Sequence, residues 1–140
     1  MCLIVSTDTK VKIAQEDIVC DKIVKKLPQR VNEPQVYASE FMNFKYELGV
    51  LNNLGTSLAI CTSSIGKYIV KDGFHSFTFH FDAYFQMKQY LKRFSSRYDS
   101  YYDTYCIVRC IIPKGAEYVE GFYNNCQSIV SNKIICKKEV

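Results

Sequence analysis

Apolar positions in this chain come in short, β-branched bursts separated by turn residues, and one burst dominates. Tyr105-Cys106-Ile107-Val108-Arg109-Cys110-Ile111-Ile112-Pro113, followed by Lys114-Gly115, is the longest apolar run. Its composition predicts a strand buried on both faces, ended where Pro113 removes a ladder donor and Ile-Pro-Lys-Gly supplies a turn. Arg109 is the single charge inside it. An unpaired buried guanidinium is costly, so this side chain must meet a carboxylate, emerge at an edge or face an anionic ligand.

Other bursts are weaker. Cys2 to Ser6 reads as a short strand closed by Thr7-Asp8-Thr9, and Asp17 to Leu27 as a β-rich segment interrupted by Asp21 and Lys22 and closed by Pro28. Gln29 to Met42 contains Pro34 and no sustained period, which predicts an exposed loop with a short turn of helix. Phe44 to Leu51 alternates apolar with charged residues up to Gly49, Ser57 to Thr62 is a weak strand, and Ile65 to Val70 alternates again. Gly73-Phe74-His75-Ser76-Phe77-Thr78 leads into one helix over 81–94. There Ala83, Tyr84, Met87, Tyr90, Leu91 and Phe94 recur at three and four residues, with Asp82 near the start and Lys92-Arg93 in the last turn. Ser95-Ser96 ends it, and a polar, Tyr-rich connector over Arg97 to Asp103 follows. Glu117-Tyr118-Val119 is a short strand ended by Gly121, Asn124-Asn125 is a turn, and Ile129 to Cys136 is a closing strand. The order predicts one α+β domain over residues 1–140, a mainly antiparallel sheet of about six strands with one main amphipathic helix.

Composition changes this picture little. At 140 residues, with 48% hydrophobic and 23% charged positions, the chain is of ordinary single-domain type. A net charge of +4 permits an anionic partner without demanding one, and the lysines and arginines form only small clusters. Seven cysteines, at 2, 20, 61, 106, 110, 126 and 136, include no Cys-x-x-Cys pair. Cys106 and Cys110 share a strand face but lie roughly 13 Å apart by the rise per residue, too far to bridge. Reduced core cysteines and a cytosolic or intravirion setting are the expectation. The apolar start, Met1 to Val5, is too short for a signal or membrane segment, so no membrane association is expected.

Candidate chemistry is sparse. His75 and His80 are the two histidines, and their spacing of five does not suit a shared metal, so no metal site is expected. No phosphate-binding loop, nucleophile elbow or zinc-protease motif is present, and no catalytic set or cofactor is assigned. His75 beside Ser76, after a glycine that lets backbone come close to a ligand, is the most suggestive corner. Tyr98, Tyr101, Tyr102 and Tyr105 near Arg97 offer stacking surfaces to single-stranded nucleic acid, a partner that is not favoured.

Two resemblances bear on these residues. Phe44-Lys-Tyr46-Glu-Leu-Gly49, Gly73-Phe74-His75-Ser76-Phe77 with Asp82-Ala83, Cys110-Ile-Ile-Pro113-Lys-Gly115-Ala-Glu-Tyr118 and Ser131-Asn132 together resemble a family of small uncharacterised proteins of gut-bacterial mobile elements and bacteriophages. That resemblance implies a phage or prophage origin and brings no activity. More faintly, a glycine, aromatic and serine segment before a helix opening on Asp-Ala, then a strand with a basic residue and a glycine turn, is similar in order to the ADP-ribosyltransferase fold. It implies a nicotinamide-type pocket at Gly73, Phe74, His75 and Ser76. The late strand carries Lys133 where that family wants a glutamate. The expectation is therefore a non-catalytic phage-encoded binding protein, engaging a host protein or a nucleotide-like ligand in the host cytoplasm or serving inside the virion. Its ligand region is Gly73, Phe74, His75, Ser76, Tyr46, Arg109 and Lys114. A transferase-like enzyme and a nucleic-acid binder are the alternatives.

Overall fold

The computed structural model describes residues 3–39, 44–94 and 105–140. Cys2, Met42 and the tyrosine-rich connector from Arg97 to Asp103 lie outside the described residues. In chain order the elements are β1 (Leu3–Val5), β2 (Lys12–Ile13), β3 (Ile18–Lys26), β4 (Val36–Ser39), β5 (Lys45–Glu47), β6 (Leu51–Asn53), β7 (Cys61–Thr62), β8 (Tyr68–Val70), β9 (Phe74–Phe77), α1 (His80–Phe94), β10 (Tyr105–Ile112), β11 (Glu117–Tyr123), β12 (Cys126–Ser131) and β13 (Lys133–Glu139). The strands join in one antiparallel sheet, β6-β13-β10-β3-β9-β12-β11-β1-β8-β7, with β2 on β11, and β4 on β3 and β5.

β10 lies deep in this sheet and shows why the fold holds. Its even positions, Cys106, Val108, Cys110 and Ile112, point into an inner core with Cys20 and Val24 of β3 and Ile134 and Cys136 of β13. Its odd positions Tyr105 and Ile107 point the other way, under α1, with Ile23, Phe77, Cys126, Ala83 and Tyr90. Each large apolar side chain so buried contributes about 1.5–3 kcal/mol before chain entropy is counted. A further inner cluster of Leu3, Leu58, Val70, Val119 and Val130 joins the first through Leu54, which packs against both.

Arg109 is an odd position and therefore lies on the helix side. It sits directly across from Asp21 of β3, and its guanidinium grips that carboxylate twice, Nε to Oδ1 at 3.0 Å and Nη2 to Oδ2 at 3.2 Å. His80, the first residue of α1, donates from Nδ1 to the same Oδ2 at 2.8 Å. The Asp21 side chain is 4% exposed, so it needs these donors. The carboxylate thus fastens the start of the helix to the middle of the sheet.

The expected α+β domain of about six strands with one main helix is corrected: the described residues form thirteen strands, mostly in antiparallel pairing, and one helix. Four local misreadings account for much of the difference. Val36–Ser39, inside the expected loop, is a strand because it finds β3 and β5 as partners. Gly49, at φ +81°, is a corner after which the chain resumes as β6. Phe74–Phe77 is a fully buried strand and no mere approach to the helix. The closing strand is two, β12 and β13, bent apart at Asn132. Gly121 does not end β11 either. It lies within the strand because a Cβ there would run into the Ile4 carbonyl of β1. On α1, Tyr84 faces outward under the Lys88 ammonium, and buried Gln86 takes an inward position.

The pairing of β3 carries one irregularity. β3 pairs β10 along one edge through eight residues, Ile18 to Lys25. Its other edge forks: Asp21 pairs Phe77 of β9, whereas Val24, Lys25 and Lys26 pair β4. Lys22 and Ile23, at the crotch, have neither strand opposite. Gly73 holds β9 off toward β12. Its φ is +136°, and a Cβ would strike Val130 Cγ1 and lie 2.9 Å from Leu58 and 3.1 Å from the Ser131 carbonyl.

Replacing Asp21 with Asn removes the charge that Arg109 and His80 share, and hydrogen bonds to charged groups are worth about 1.5–3 kcal/mol each. The expected outcome is a fall in urea midpoint equivalent to at least about 1.5 kcal/mol with an unchanged m-value, as Asn retains the shape. An unchanged midpoint would remove the clamp.

Candidate ligand-binding site

The fork opens a cleft of about 240 Å³. Lys22 and Ile23 of β3 form its floor. Gly73, Phe74, His75 and Phe77 stand on one side, Ser39, Phe44 and Tyr46 on the other, with Leu54 and Thr56 from the loop after β6 and Tyr90 from α1. Lys71 and Asp72, both exposed, complete the lining, and Asp72 is its one carboxylate among the described residues.

Lys22 is the decisive side chain. In a strand of period two, Asp21 and Lys22 must face opposite ways, so Asp21 reaches the helix side and Lys22 the inner side. Only 5% of Lys22 is exposed. Its Nζ donates to the His75 carbonyl at 2.6 Å, across the gap where a β3 to β9 ladder bond would otherwise run, and sits 5.3 Å from the Tyr46 ring centroid. Among the described residues no carboxylate lies within ion-pairing distance of it. A carbonyl dipole and a π face are partial answers to a buried charge.

The aromatic wall is built of rings in mutual contact. Phe44 lies 5.0 Å from Tyr46 and 5.2 Å from Phe74, the latter edge to face at 72°. Burial pushes the Tyr46 phenol above its ordinary pKa, so it is a neutral group. Phe44 keeps one face toward solvent at 39% exposure, which leaves a planar surface at the mouth.

His75 does not behave as a free base. Burial, with the nearby Lys22 charge, lowers its pKa to about 3. The ring is neutral at physiological pH, and Nε2 lies 3.3 Å from the Lys71 carbonyl. A carbonyl only accepts, so Nε2 carries the proton in that bond.

Of the seven residues singled out in the sequence, four line the cleft: Gly73, Phe74, His75 and Tyr46. The other three lie elsewhere. Ser76 is buried beside Cys20 on the inner face and is not part of the cleft lining, and its Oγ has no hydrogen-bond partner among the described residues. Arg109 is committed to Asp21 on the helix side, because its strand position is odd. Lys114 lies in the exposed turn after β10, where its main-chain N–H donates to Asp17 at 2.9 Å. At Gly73 the close approach that the missing Cβ permits is to Val130 and Ser131 of β12 and to Leu58. Sequence reasoning missed Lys22, Phe44 and Tyr90. For Lys22 a signal existed: adjacent opposite charges inside a buried strand need two separate solutions, and only one of them can share the Arg109 side.

Acid should expose the buried imidazole. Its folded pKa lies below the ordinary 6.5, so between about pH 6.5 and 3 the unfolded chain binds the extra proton and stability falls as pH falls, by up to about 1.4 kcal/mol per pH unit. His75→Gln, which cannot protonate, is expected to flatten the slope of unfolding free energy between pH 6.5 and 4 relative to the parent. Identical slopes would show that the ring is not held neutral.

Among the described residues no three His, Cys, Asp or Glu side chains are placed to hold a metal, and no helix is long and apolar enough to cross a membrane. No family model, curated protein or solved structure matches this chain.

Proposed function

We propose that this is a small non-catalytic binding protein whose ligand is nucleotide-like: a flat aromatic group joined to an anionic one, held in the fork of β3. The observation that carries this reading is the Lys22 ammonium, buried on the floor of an aromatic cleft and lacking a carboxylate partner among the described residues. An incoming anion supplies the missing countercharge in a place of low dielectric, where such a pair is strongest. The ring portion rests against Phe44 and Phe74, and Ser39 and Thr56 offer hydroxyls to orient it. A cleft of about 240 Å³ suits one base-sized ring with a short anionic arm and is small for a dinucleotide.

Binding without chemistry is supported by the state of the lining. His75 is neutral with Nε2 engaged by the Lys71 carbonyl, and Asp72 is exposed at the rim. In the phage or mobile-element setting implied by the resemblance, the protein acts by sequestering or sensing such a molecule.

A second reading, single-stranded nucleic acid on the outer face of α1, is favoured by Phe81, Tyr84 and Phe85, all exposed, with Lys88 5.3 Å from the Tyr84 ring centroid. Stacking on this face would show salt-dependent binding of oligonucleotides that Phe81→Ala with Phe85→Ala abolishes and Lys22→Met leaves intact.

For the principal reading, thermal unfolding is measured with nucleoside monophosphates, their parent nucleosides and simple aromatic carboxylates. A ligand at about 100 times its Kd stabilises by about 2.7 kcal/mol, so a rise of several degrees in Tm is expected with the anionic compounds and a smaller one with the nucleosides. Lys22→Met should erase the difference between the two groups. No shift at millimolar concentration with any of them would sink the nucleotide-like reading.

A further inference from the structure

On the inner face, three thiols stand side by side on adjacent strands. Cys110 of β10 is directly opposite Cys20 of β3 on one edge and Cys136 of β13 on the other. All three are buried. They are not equivalent. Cys110 Sγ is turned toward Cys136, with the two sulfurs 3.3 Å apart, closer than sulfur atoms in ordinary van der Waals contact. The backbone explains the pairing. The Cys136 carbonyl accepts from the Gly49 N–H at 2.7 Å, on the β6 side, so its main chain is turned away from β10. Cys110 and Cys136 are then a non-hydrogen-bonded cross-strand pair, the class whose Cα atoms lie about 4.5 Å apart. That spacing falls within the range of about 4.4–6.8 Å that a disulfide requires.

We propose that Cys110 and Cys136 are an oxidation site, which two-electron oxidants of the peroxide class convert to a disulfide latching β13 onto β10. The reaction runs in two steps. The Cys136 sulfur attacks the O–O bond of hydrogen peroxide and keeps one oxygen as sulfenic acid, while the other oxygen leaves as water with the thiol proton. The Cys110 sulfur then attacks the sulfenic sulfur, and the hydroxyl leaves with the Cys110 proton as a second water. Two thiols and one peroxide give one disulfide and two waters, the two sulfurs losing the two electrons that the peroxide gains.

Cys136 takes the first step because of its surroundings. It accepts the hydrogen bond from Cys110, and that bond together with the Lys22 charge draws its pKa down, while Cys110 as donor is held above its ordinary value. Access comes from the edge. The outer side of β13 is covered by β6, three residues long, and the Gly49 turn. Opening so short an edge strand is a local event that admits a molecule as small as peroxide.

The test is a peptide map of the full chain after hydrogen peroxide, with alkylation of the remaining thiols and tryptic digestion without reductant. The expected product links residues 110–114, Cys-Ile-Ile-Pro-Lys, to residues 134–137, Ile-Ile-Cys-Lys. It is absent after dithiothreitol and absent from Cys136→Ala, while Cys20→Ala still forms it. The oxidised protein should melt several degrees higher, because the bridge closes a loop between positions 26 apart. Recovery of Cys110 and Cys136 as alkylated thiols under conditions that fully oxidise exposed Cys61 overturns the proposal. So does a bridge from Cys110 to Cys20. Both outcomes are read on the unsubstituted protein, so they stand even if a variant fails to fold.

Discussion

A charged amine placed inside a protein must be answered, and the arrangement around Lys22 follows from that requirement. Its Nζ takes the His75 carbonyl at 2.6 Å and leans on the Tyr46 ring. The carbonyl is one that regular pairing of β3 with β9 would have given to a main-chain N–H. The lysine therefore props the fork open and satisfies the group that the fork leaves over. A carbonyl and a ring lower the cost of burial without neutralising the charge. The same side chain is thus a structural strut and the buried charge on which the proposed binding function rests.

The two faces of β3 answer their charges in different ways. Asp21, turned toward α1, is closed within the protein by Arg109 and His80, so that its work is to hold the helix. Lys22, turned inward, is left electrically open. Period-two geometry makes this division unavoidable once both residues are in one strand. It also removes Arg109 from the site, because a guanidinium bound twice to a carboxylate has little left for a ligand. The inner face carries a second consequence. It lines up Cys20, Cys110 and Cys136 close to the same ammonium, whose charge acts on all three thiols.

The corner from Gly73 to Ser76 has a different meaning from the one its residues suggest by themselves. Gly73 is needed because β12 crowds it, His75 is a neutral ring tied back to Lys71, and Ser76 is buried outside the cleft lining. What the corner offers a ligand is the shape of β9 and the carbonyl that engages Lys22. In the proposed binding function the opposite wall and the floor count as much as the glycine and histidine.

Some of this was written in the residues. The density of β-branched positions and the proline after Ile112 were enough for the buried strand β10 and the 3–4 spacing for α1, while the cost of an unpaired guanidinium left three solutions open for Arg109, of which the fold takes the carboxylate. Those features depend on neighbours within a few positions or on a single energetic rule. The number of strands did not follow, because Val36–Ser39, Leu51–Asn53 and Phe74–Phe77 are too short for a period to declare itself and become strands only where a partner edge is waiting. Nor did the cleft, which exists because two strands compete for one edge of β3. That competition brings together residues as far apart in the chain as Lys22, Tyr46, His75 and Tyr90, and non-local packing alone decides which of them meet.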